Sequence, residues 1–322
     1  MNKKKYVNRN YLTTTRIIAL GFLITVIVGT ILLSLPIASA NGTWTDLLTA
    51  AFTSTTSVCV TGLVVVDTFS YWSLFGKGVI LILIQIGGLG IVSIITLFML
   101  LFRMKITLKS TMLLQDAFNL NSKQGLLKFT IKVIKGTFLI EGIGAFIYSF
   151  YYCREYGLLK GIWFSVFHAV SAFCNAGLDI MGADSLIPYH SNLLMMLNTS
   201  FLIIMGGIGF IVWWDTVEAF RRIRTKKCSI RSAWNGVHLQ TKIAIFMTLL
   251  LLIGGTVVIY FLERSNPDTL GNLSEKDRIL NAFFQSVTLR TAGFAAVPQA
   301  ALRPVTAFFG ALLMMIGGSP VG

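Results

Sequence analysis

The chain has 322 residues, of which 55% are hydrophobic and only 12% are charged, and its formal net charge is +14. Soluble domains have about 25% charged residues, so this composition excludes an ordinary soluble protein and indicates a polytopic helical membrane protein. Of the 27 Lys and Arg residues, 19 fall within residues 1–16, 103–135 and 221–242. These clusters lie at alternate ends of apolar segments, which is the positive-inside pattern. The charge therefore predicts three cytoplasmic segments, including the N-terminus, and argues against a nucleic-acid partner.

The first apolar unit has four parts. Residues 17–38 are long enough to cross a bilayer, and we interpret them as a retained transmembrane helix and not as a signal peptide. Residues 45–56 are too short to cross and predict a re-entrant half-helix, which we call a pore helix. A loop containing Gly62 comes next, and residues 78–102 cross back as a return helix.

Two further units repeat this order. The predicted span, pore helix and return helix are residues 136–152, 162–173 and 193–214 in the second unit, and residues 243–262, 278–288 and 304 onward in the third. The predicted division of the chain is a tail (1–16), repeat 1 (17–102), a connector (103–135), repeat 2 (136–220), a connector (221–242) and an incomplete repeat 3 (243–322). The predicted fold class is an all-α membrane protein of tandem helix–pore helix–helix repeats in a pseudo-fourfold arrangement. We expect that a fourth repeat is missing, since the third return helix reaches the end of this sequence without a basic flank.

The loop after each pore helix contains one glycine in a similar setting. These glycine loops read Val60-Thr61-Gly62-Leu63, Asn175-Ala176-Gly177-Leu178 and Thr291-Ala292-Gly293-Phe294, and we number them 1 to 3. The three glycines are separated by 115 and 116 residues. This period indicates three copies of one structural unit.

The composition of the glycine loops favours an alkali cation as ligand. They contain no acidic residue, and backbone carbonyls replace the water of a permeant ion without binding it too tightly. Glycine tolerates φ > 0, so that successive carbonyls can turn toward one axis, and each pore helix directs the negative end of its dipole there. The predicted ligands are the carbonyls of Val60, Thr61, Gly62, Asn175, Ala176, Gly177, Thr291, Ala292 and Gly293. Since each loop has one glycine where a potassium channel filter has two, we expect a weaker preference for K⁺ over Na⁺ than in such channels.

Charged residues close to the glycine loops predict supporting roles. Asp67 and Asp179 follow loops 1 and 2 and are expected to concentrate cations at the outer mouth. Arg290 lies three residues before Gly293, where a cation on the axis would repel K⁺. We therefore expect Arg290 behind the loop, paired with an acidic residue and bracing the filter.

The sequence resembles the membrane subunit of the Trk/Ktr/HKT superfamily of potassium transporters, and most closely the bacterial Ktr-type subunit. The three glycine loops carry this resemblance together with Gly317-Gly318-Ser319-Pro320. It implies K⁺ uptake across the bacterial plasma membrane, often linked to Na⁺, through a multi-pass protein with a cytoplasmic N-terminus. It also implies homodimers with one pore per subunit and a cytosolic, nucleotide-binding RCK-type regulatory partner. Gly317, Gly318 and Ser319 would then begin an intramembrane gate loop, and no covalently bound cofactor is expected.

Three other features have two interpretations each. Glu141, inside an apolar span, either pairs with Lys132 or Lys135 or makes a structural polar contact between helices. His168 is expected to be a hydrogen-bonding strut in its pore helix and not a ligand. The glycine pairs 87–88 and 206–207 are expected to serve close helix packing, whereas the pair 317–318, followed by Pro320, predicts a helix break.

Two other classes of function compete with ion transport. A membrane-embedded enzyme would need clustered acidic residues or a His and Asp near the membrane face, and the three histidines are scattered. Four cysteines without CxxC spacing predict neither a metal site nor a disulfide framework. A non-conducting assembly subunit, or an inactive truncated product, remains the alternative to a K⁺-translocating subunit.

Overall fold

The computed structural model describes residues 14–90, 93, 126–182, 184–226 and 229–318. Twelve α-helices are found in these ranges. In chain order they are α1 (Thr14–Ser34), α2 (Leu47–Val58), α3 (Thr68–Tyr71), α4 (Leu74–Leu89), α5 (Leu126–Tyr156), α6 (Leu158–Phe173), α7 (Leu193–Gly207), α8 (Phe210–Lys226), α9 (Ile230–Asn235), α10 (Leu239–Glu263), α11 (Glu275–Thr288) and α12 (Pro304–Ile316). Short 3₁₀ or π turns at Pro36–Ala38, Ile187–Tyr189, Pro267–Gly271 and Gln299–Ala301 connect them.

The helices form three similar hairpins. In each, a long helix (α1, α5 or α10) packs on a short one (α2, α6 or α11), and a return helix (α4, α7 or α12) completes the unit. Neighbouring hairpins meet where α4 contacts α6 and where α7 contacts α11. The predicted fold class, a helical membrane protein of tandem helix–pore helix–helix repeats, is confirmed.

Three of the described helices are long and apolar enough to cross a membrane, over Arg16–Ser34, Lys128–Tyr156 and Leu239–Glu263. The pore helices α2, α6 and α11 have 12, 16 and 14 residues. At 1.5 Å per residue they are about 18–24 Å long, less than the roughly 30 Å of a hydrocarbon core. They therefore end inside the layer that the long helices cross.

Local chemistry fixes where the pore helices begin. The Asp46 carboxylate accepts hydrogen bonds from the N–H groups of Leu48 and Thr49 at 3.1 and 3.3 Å and caps α2. The Ser274 hydroxyl caps α11 by accepting from the N–H of Asp277 at 3.3 Å. Both caps satisfy amides at the start of a helix that have no partner within it.

The return helices differ from the sequence prediction. The second was expected to run straight through residues 193–214, but α7 ends at Gly207 and α8 leaves at 99° to it. The first was expected over residues 78–102, but α4 ends at Leu89, and residues 91, 92 and 94–102 lie outside the described residues. The helices stop because Gly90 and Gly209 adopt φ values of +77° and +97°, which no α-helix contains.

The third return helix, α12, ends at Ile316, where Gly317 has φ +62°. The break expected from the glycine pair 317–318 is therefore present. Ser319 and Pro320 lie outside the described residues, as do residues 103–125 of the predicted connector. The rest of that connector, residues 126–135, was predicted wrongly, because these residues are the first part of α5.

Candidate ion-coordinating site

The three glycine loops share one backbone conformation. The glycine has a positive φ in each, and so does the residue two positions before it. The φ values are +53° and +80° for Val60 and Gly62, +58° and +63° for Asn175 and Gly177, and +71° and +86° for Thr291 and Gly293. A β-branched residue with positive φ is uncommon and strained. The recurrence of this strain at Val60 and Thr291 indicates a conformation that the surrounding fold imposes on all three loops.

The structure brings the three glycines together. A methyl group placed on Gly62 would lie 2.6 Å from the carbonyl oxygen of Ala176, and one on Gly177 would lie 2.6 Å from the carbonyl oxygen of Ala292. A methyl group on Gly293 would lie 3.0 Å from the Cα of Gly177. The loops therefore meet backbone against backbone, and a side chain at any of the three glycines would enter the space between them.

A cavity lies on each side of this meeting point. The first, of about 310 Å³, is lined by all three glycines together with Asp67 and Asp179, and we call it the outer cavity. The second, of about 420 Å³, is the inner cavity, and its wall includes the left-handed residues Val60, Asn175 and Thr291. The glycine loops are thus the constriction between two polar spaces.

The outer cavity contains the two predicted vestibule carboxylates. Asp67 is half-buried and caps α3, accepting from the N–H of Ser70 at 2.9 Å. Asp179 is also half-buried, beyond the end of its pore helix, and accepts from the N–H of Met181 at 3.2 Å. Burial, which outweighs the hydrogen bonds that the carboxylate accepts, raises the pKa of the Asp179 carboxyl to about 6, with a smaller contribution in the same direction from the charge of Asp67.

The inner cavity is bordered by glycines of the return helices and by Gly318, a residue of the predicted gate loop. A methyl on Gly87 would lie 2.2 Å from the carbonyl oxygen of Val58, and one on Gly206 would lie 1.7 Å from that of Phe173. These carbonyls belong to the last residues of α2 and α6. The glycine pairs therefore allow the return helices to touch the pore-helix ends, which agrees with the packing interpretation.

Arg290 lies behind loop 3, but the prediction that it pairs with an acidic residue is wrong. Within the described part of the chain no carboxylate pairs with it. Its guanidinium donates to the carbonyl oxygen of Gly317 at 3.3 and 3.4 Å and to the Thr248 hydroxyl at 3.4 Å. Arg290 thus connects loop 3 to the residue at which α12 breaks.

The expectation for His168 is corrected, and one of the two interpretations of Glu141 is found. The His168 ring is fully buried between Tyr148 and Phe294, and among the described residues neither ring nitrogen has a hydrogen-bond partner, so it is not a hydrogen-bonding strut. Glu141 makes no ion pair with any lysine among the described residues. It accepts from the Gln85 amide at 3.0 Å, which is the structural contact between helices, here between α4 and α5.

Sequence reasoning missed a set of hydroxyl groups near the end of each pore helix. The Ser171 hydroxyl donates to the carbonyl of Leu178 at 2.5 Å, and the Thr288 hydroxyl donates to that of Phe294 at 2.6 Å. In repeat 1 the Thr56 hydroxyl accepts from the N–H of Leu63 at 3.0 Å. The signal was present, because a Ser or Thr lies five or six residues before each filter glycine.

The fold and this site define a class: a polytopic membrane protein in which repeated helical hairpins carry short pore helices that meet at glycine loops. The comparisons place the chain more narrowly. Residues 3–322 match the model of the TrkH family, described as cation transport protein. The chain belongs to this family.

Several relatives are similar to the chain. The potassium/sodium uptake protein NtpJ of Enterococcus hirae is 39% identical over 97% of this chain and 66% of its own length. The Ktr system potassium uptake protein B of Bacillus subtilis is 37% identical over 98% of this chain and 68% of its own length. The chain therefore spans about two thirds of the length of these relatives.

The crystal structure of the potassium transporter TrkH from Vibrio parahaemolyticus has a similar fold. It superposes with a TM-score of 0.64 at 16% identity, covering 97% of this chain and 58% of that one. At this identity the likeness concerns the fold alone.

Proposed function

We propose that this chain belongs to a K⁺ uptake protein and that K⁺ passes between its three glycine loops. The observation that carries the proposal is the meeting of Gly62, Gly177 and Gly293 between the outer and inner cavities. Backbone carbonyls there replace the hydration shell of the ion. The names of two relatives, which describe potassium or potassium/sodium uptake, support K⁺ as the transported ion.

The proposed path begins at the outer cavity. Asp67 and Asp179 attract cations into it, and the absence of acidic residues from the glycine loops keeps binding in the constriction weak enough for release. The carbonyls of the nine predicted filter residues coordinate the dehydrated ion. The negative ends of α2, α6 and α11 lower the cost of dehydration where their glycine loops meet.

The proposed gate lies on the inner side. It consists of Gly317, Gly318 and Ser319, and the bond from Arg290 to the Gly317 carbonyl supports a link between gate and filter. Movement of the Gly317 backbone would then change the support of glycine loop 3. Linkage to Na⁺, a homodimeric state, a cytoplasmic N-terminus at the plasma membrane and a cytosolic RCK-type regulatory subunit complete the proposal. Each of these rests on the resemblance to Ktr-type subunits.

The alternative is a non-conducting assembly subunit. Expression of the full-length gene in cells that lack K⁺ uptake separates the two functions. A conducting protein restores growth and Rb⁺ uptake at low external K⁺. Protein that reaches the membrane in normal amounts without restoring uptake would refute the proposed function.

A further inference from the structure

The hydroxyls near the ends of the pore helices do more than stabilise the helices. Thr56, Ser171 and Thr288 are all buried, and each bonds to the residue that directly follows a filter glycine. Other buried hydroxyls of the pore helices do not reach the loops: that of Ser165 bonds to a carbonyl one turn back in its own helix, and those of Ser54 and Ser286 bond to carbonyls of the neighbouring long helix. A contact that leaves the helix and holds the end of the glycine loop recurs in all three repeats.

In loops 2 and 3 these hydroxyls determine the direction of a carbonyl. The carbonyls of Leu178 and Phe294 point back to their own pore helices, because they accept from Ser171 and Thr288. In loop 3 the N–H of Ala295 belongs to the same peptide group as the Phe294 carbonyl. It donates away from α11, to the Ser185 hydroxyl at 3.4 Å, which supports this orientation. The N–H and C=O of a trans peptide point in opposite directions. These two carbonyls are therefore withdrawn from the space between the loops.

In loop 1 the hydroxyl of the pore helix accepts a hydrogen bond instead of donating one. Here the N–H of Leu63 donates to the Thr56 hydroxyl at 3.0 Å, so the carbonyl of Gly62, in the same peptide, points away from α2. These carbonyls belong to successive peptides, because the Gly62 carbonyl precedes the residue that the hydroxyl holds, whereas the carbonyls of Leu178 and Phe294 follow it. In all three repeats the hydroxyl therefore holds the residue after the glycine against its pore helix.

We propose that Thr56, Ser171 and Thr288 are positioning residues that set the outer boundary of the filter and, through it, discrimination between K⁺ and Na⁺. This inference rests on the proposed function. Selectivity depends on the number and field strength of the carbonyls that surround the ion. Loss of the Ser171 or Thr288 hydroxyl releases the carbonyl of Leu178 or Phe294, which is then free to rotate and become an additional, loosely placed oxygen ligand.

The size of the expected change follows from the strength of a single hydrogen bond. Its net contribution corresponds to about a twofold to tenfold change in an equilibrium constant. We expect Thr288→Val, which keeps the shape of the side chain, and Ser171→Ala to lower the ratio of K⁺ to Na⁺ uptake by about this factor. Total cation uptake should persist, because neither side chain lines the cavities on the two sides of the loops.

The experiment measures Rb⁺ and Na⁺ uptake, at equal amounts of protein in the membrane, in cells that lack their own K⁺ uptake. Thr288→Val and Ser171→Ala are compared with Ser165→Ala, the matched control in α6, whose hydroxyl bonds to the Gly161 carbonyl within the same helix. Ser171→Thr and Thr288→Ser, which restore a hydroxyl, are measured in parallel. If Ser171→Ala reaches the membrane poorly, Thr288→Val and Ser171→Cys, which keeps the side-chain size with a weaker donor, are used.

The proposal predicts a lowered ratio in Thr288→Val and Ser171→Ala, an unchanged ratio in Ser165→Ala, and a ratio near that of the unmodified protein in the hydroxyl-restoring variants. An unchanged ratio in both Thr288→Val and Ser171→Ala would overturn it. An equal fall in Ser165→Ala would also overturn it, because any small cavity in α6 would then have the same effect. Failure of the proposed function is a different result, since the unmodified protein would then take up neither ion.

Discussion

Substituting the most crowded filter glycine should damage the site far more than its local strain alone would. Gly177 has φ +63°, a conformation that costs another residue about 1–2 kcal/mol. A methyl group there would also lie 2.6 Å from both the Ala292 carbonyl oxygen and the Gly293 Cα. Crowding of this kind costs about 1–3 kcal/mol more, because backbone must move. We therefore expect Gly177→Ala to destabilise the protein by about 2–5 kcal/mol and to widen the constriction.

A second glycine separates the two contributions. Gly42 has a similar φ of +68°, but nothing lies within 4 Å of a methyl group placed on it. Gly42→Ala should therefore cost only the strain, about 1–2 kcal/mol, and should leave ion selectivity unchanged. The other filter glycines are less crowded than Gly177. Gly62→Ser is expected to lower K⁺ over Na⁺ discrimination, and an unchanged flux ratio in that variant would remove Gly62 from the filter.

The assay combines thermal unfolding of the purified protein with Rb⁺ and Na⁺ uptake in cells. Gly177→Ala should lower the unfolding temperature more than Gly42→Ala and should reduce uptake or its selectivity, while Gly42→Ala retains both. If Gly177→Ala and Gly42→Ala behaved alike, with selectivity intact in both, the three glycines would not form the narrow part of the pathway.

Three further outcomes are expected. Because the raised pKa of Asp179 means that its charge is lost as external pH falls through about 6, Rb⁺ uptake should fall between about pH 7 and about pH 5. The Asp179→Asn variant should have a flatter pH profile, and an identical profile would contradict a role for this carboxylate. Gly206→Ala, whose methyl would lie 1.7 Å from the Phe173 carbonyl oxygen, should destabilise the protein by about 1–3 kcal/mol. Gly254→Ala, with nothing within 4 Å, should be neutral or stabilising, so equal effects would refute close packing at Gly206. The buried Glu263 carboxylate accepts hydrogen bonds from two threonine hydroxyls, one amide side chain and one backbone N–H. Glu263→Gln should therefore lower the free energy of unfolding by about 1–3 kcal/mol, and an unchanged unfolding temperature would contradict this.

The glycine period was sufficient to predict the hairpin repeats and the position of the loops. The length of each apolar segment distinguished membrane-spanning helices from pore helices. The positive φ of Gly62 follows from the wider range of backbone conformations open to glycine. The positive φ of Val60 and Thr291 could not be predicted from residue type, because this conformation is unfavourable for β-branched residues. Only the packing of three loops against one another accounts for it.

Partners distant in sequence were the least predictable part of the site. Arg290 was expected to find an acidic residue, but it bonds to a carbonyl 27 residues away, which only the folded arrangement reveals. The break at Gly209 had a local signal, a third glycine after the pair, since glycine commonly ends a helix in a left-handed conformation. An apolar stretch of sufficient length nevertheless predicted one straight helix, because hydrophobicity does not record helix direction.

The most direct test of a carbonyl filter between the glycine loops is to locate the ion. Crystals of the protein grown with Rb⁺ or Tl⁺ in place of K⁺ would give an anomalous signal at each bound ion. We predict a peak between Gly62, Gly177 and Gly293, within coordination distance of their loop carbonyls, that weakens when Na⁺ replaces these ions. Strong peaks elsewhere in the protein, with none among the three glycines, would contradict the proposed pathway.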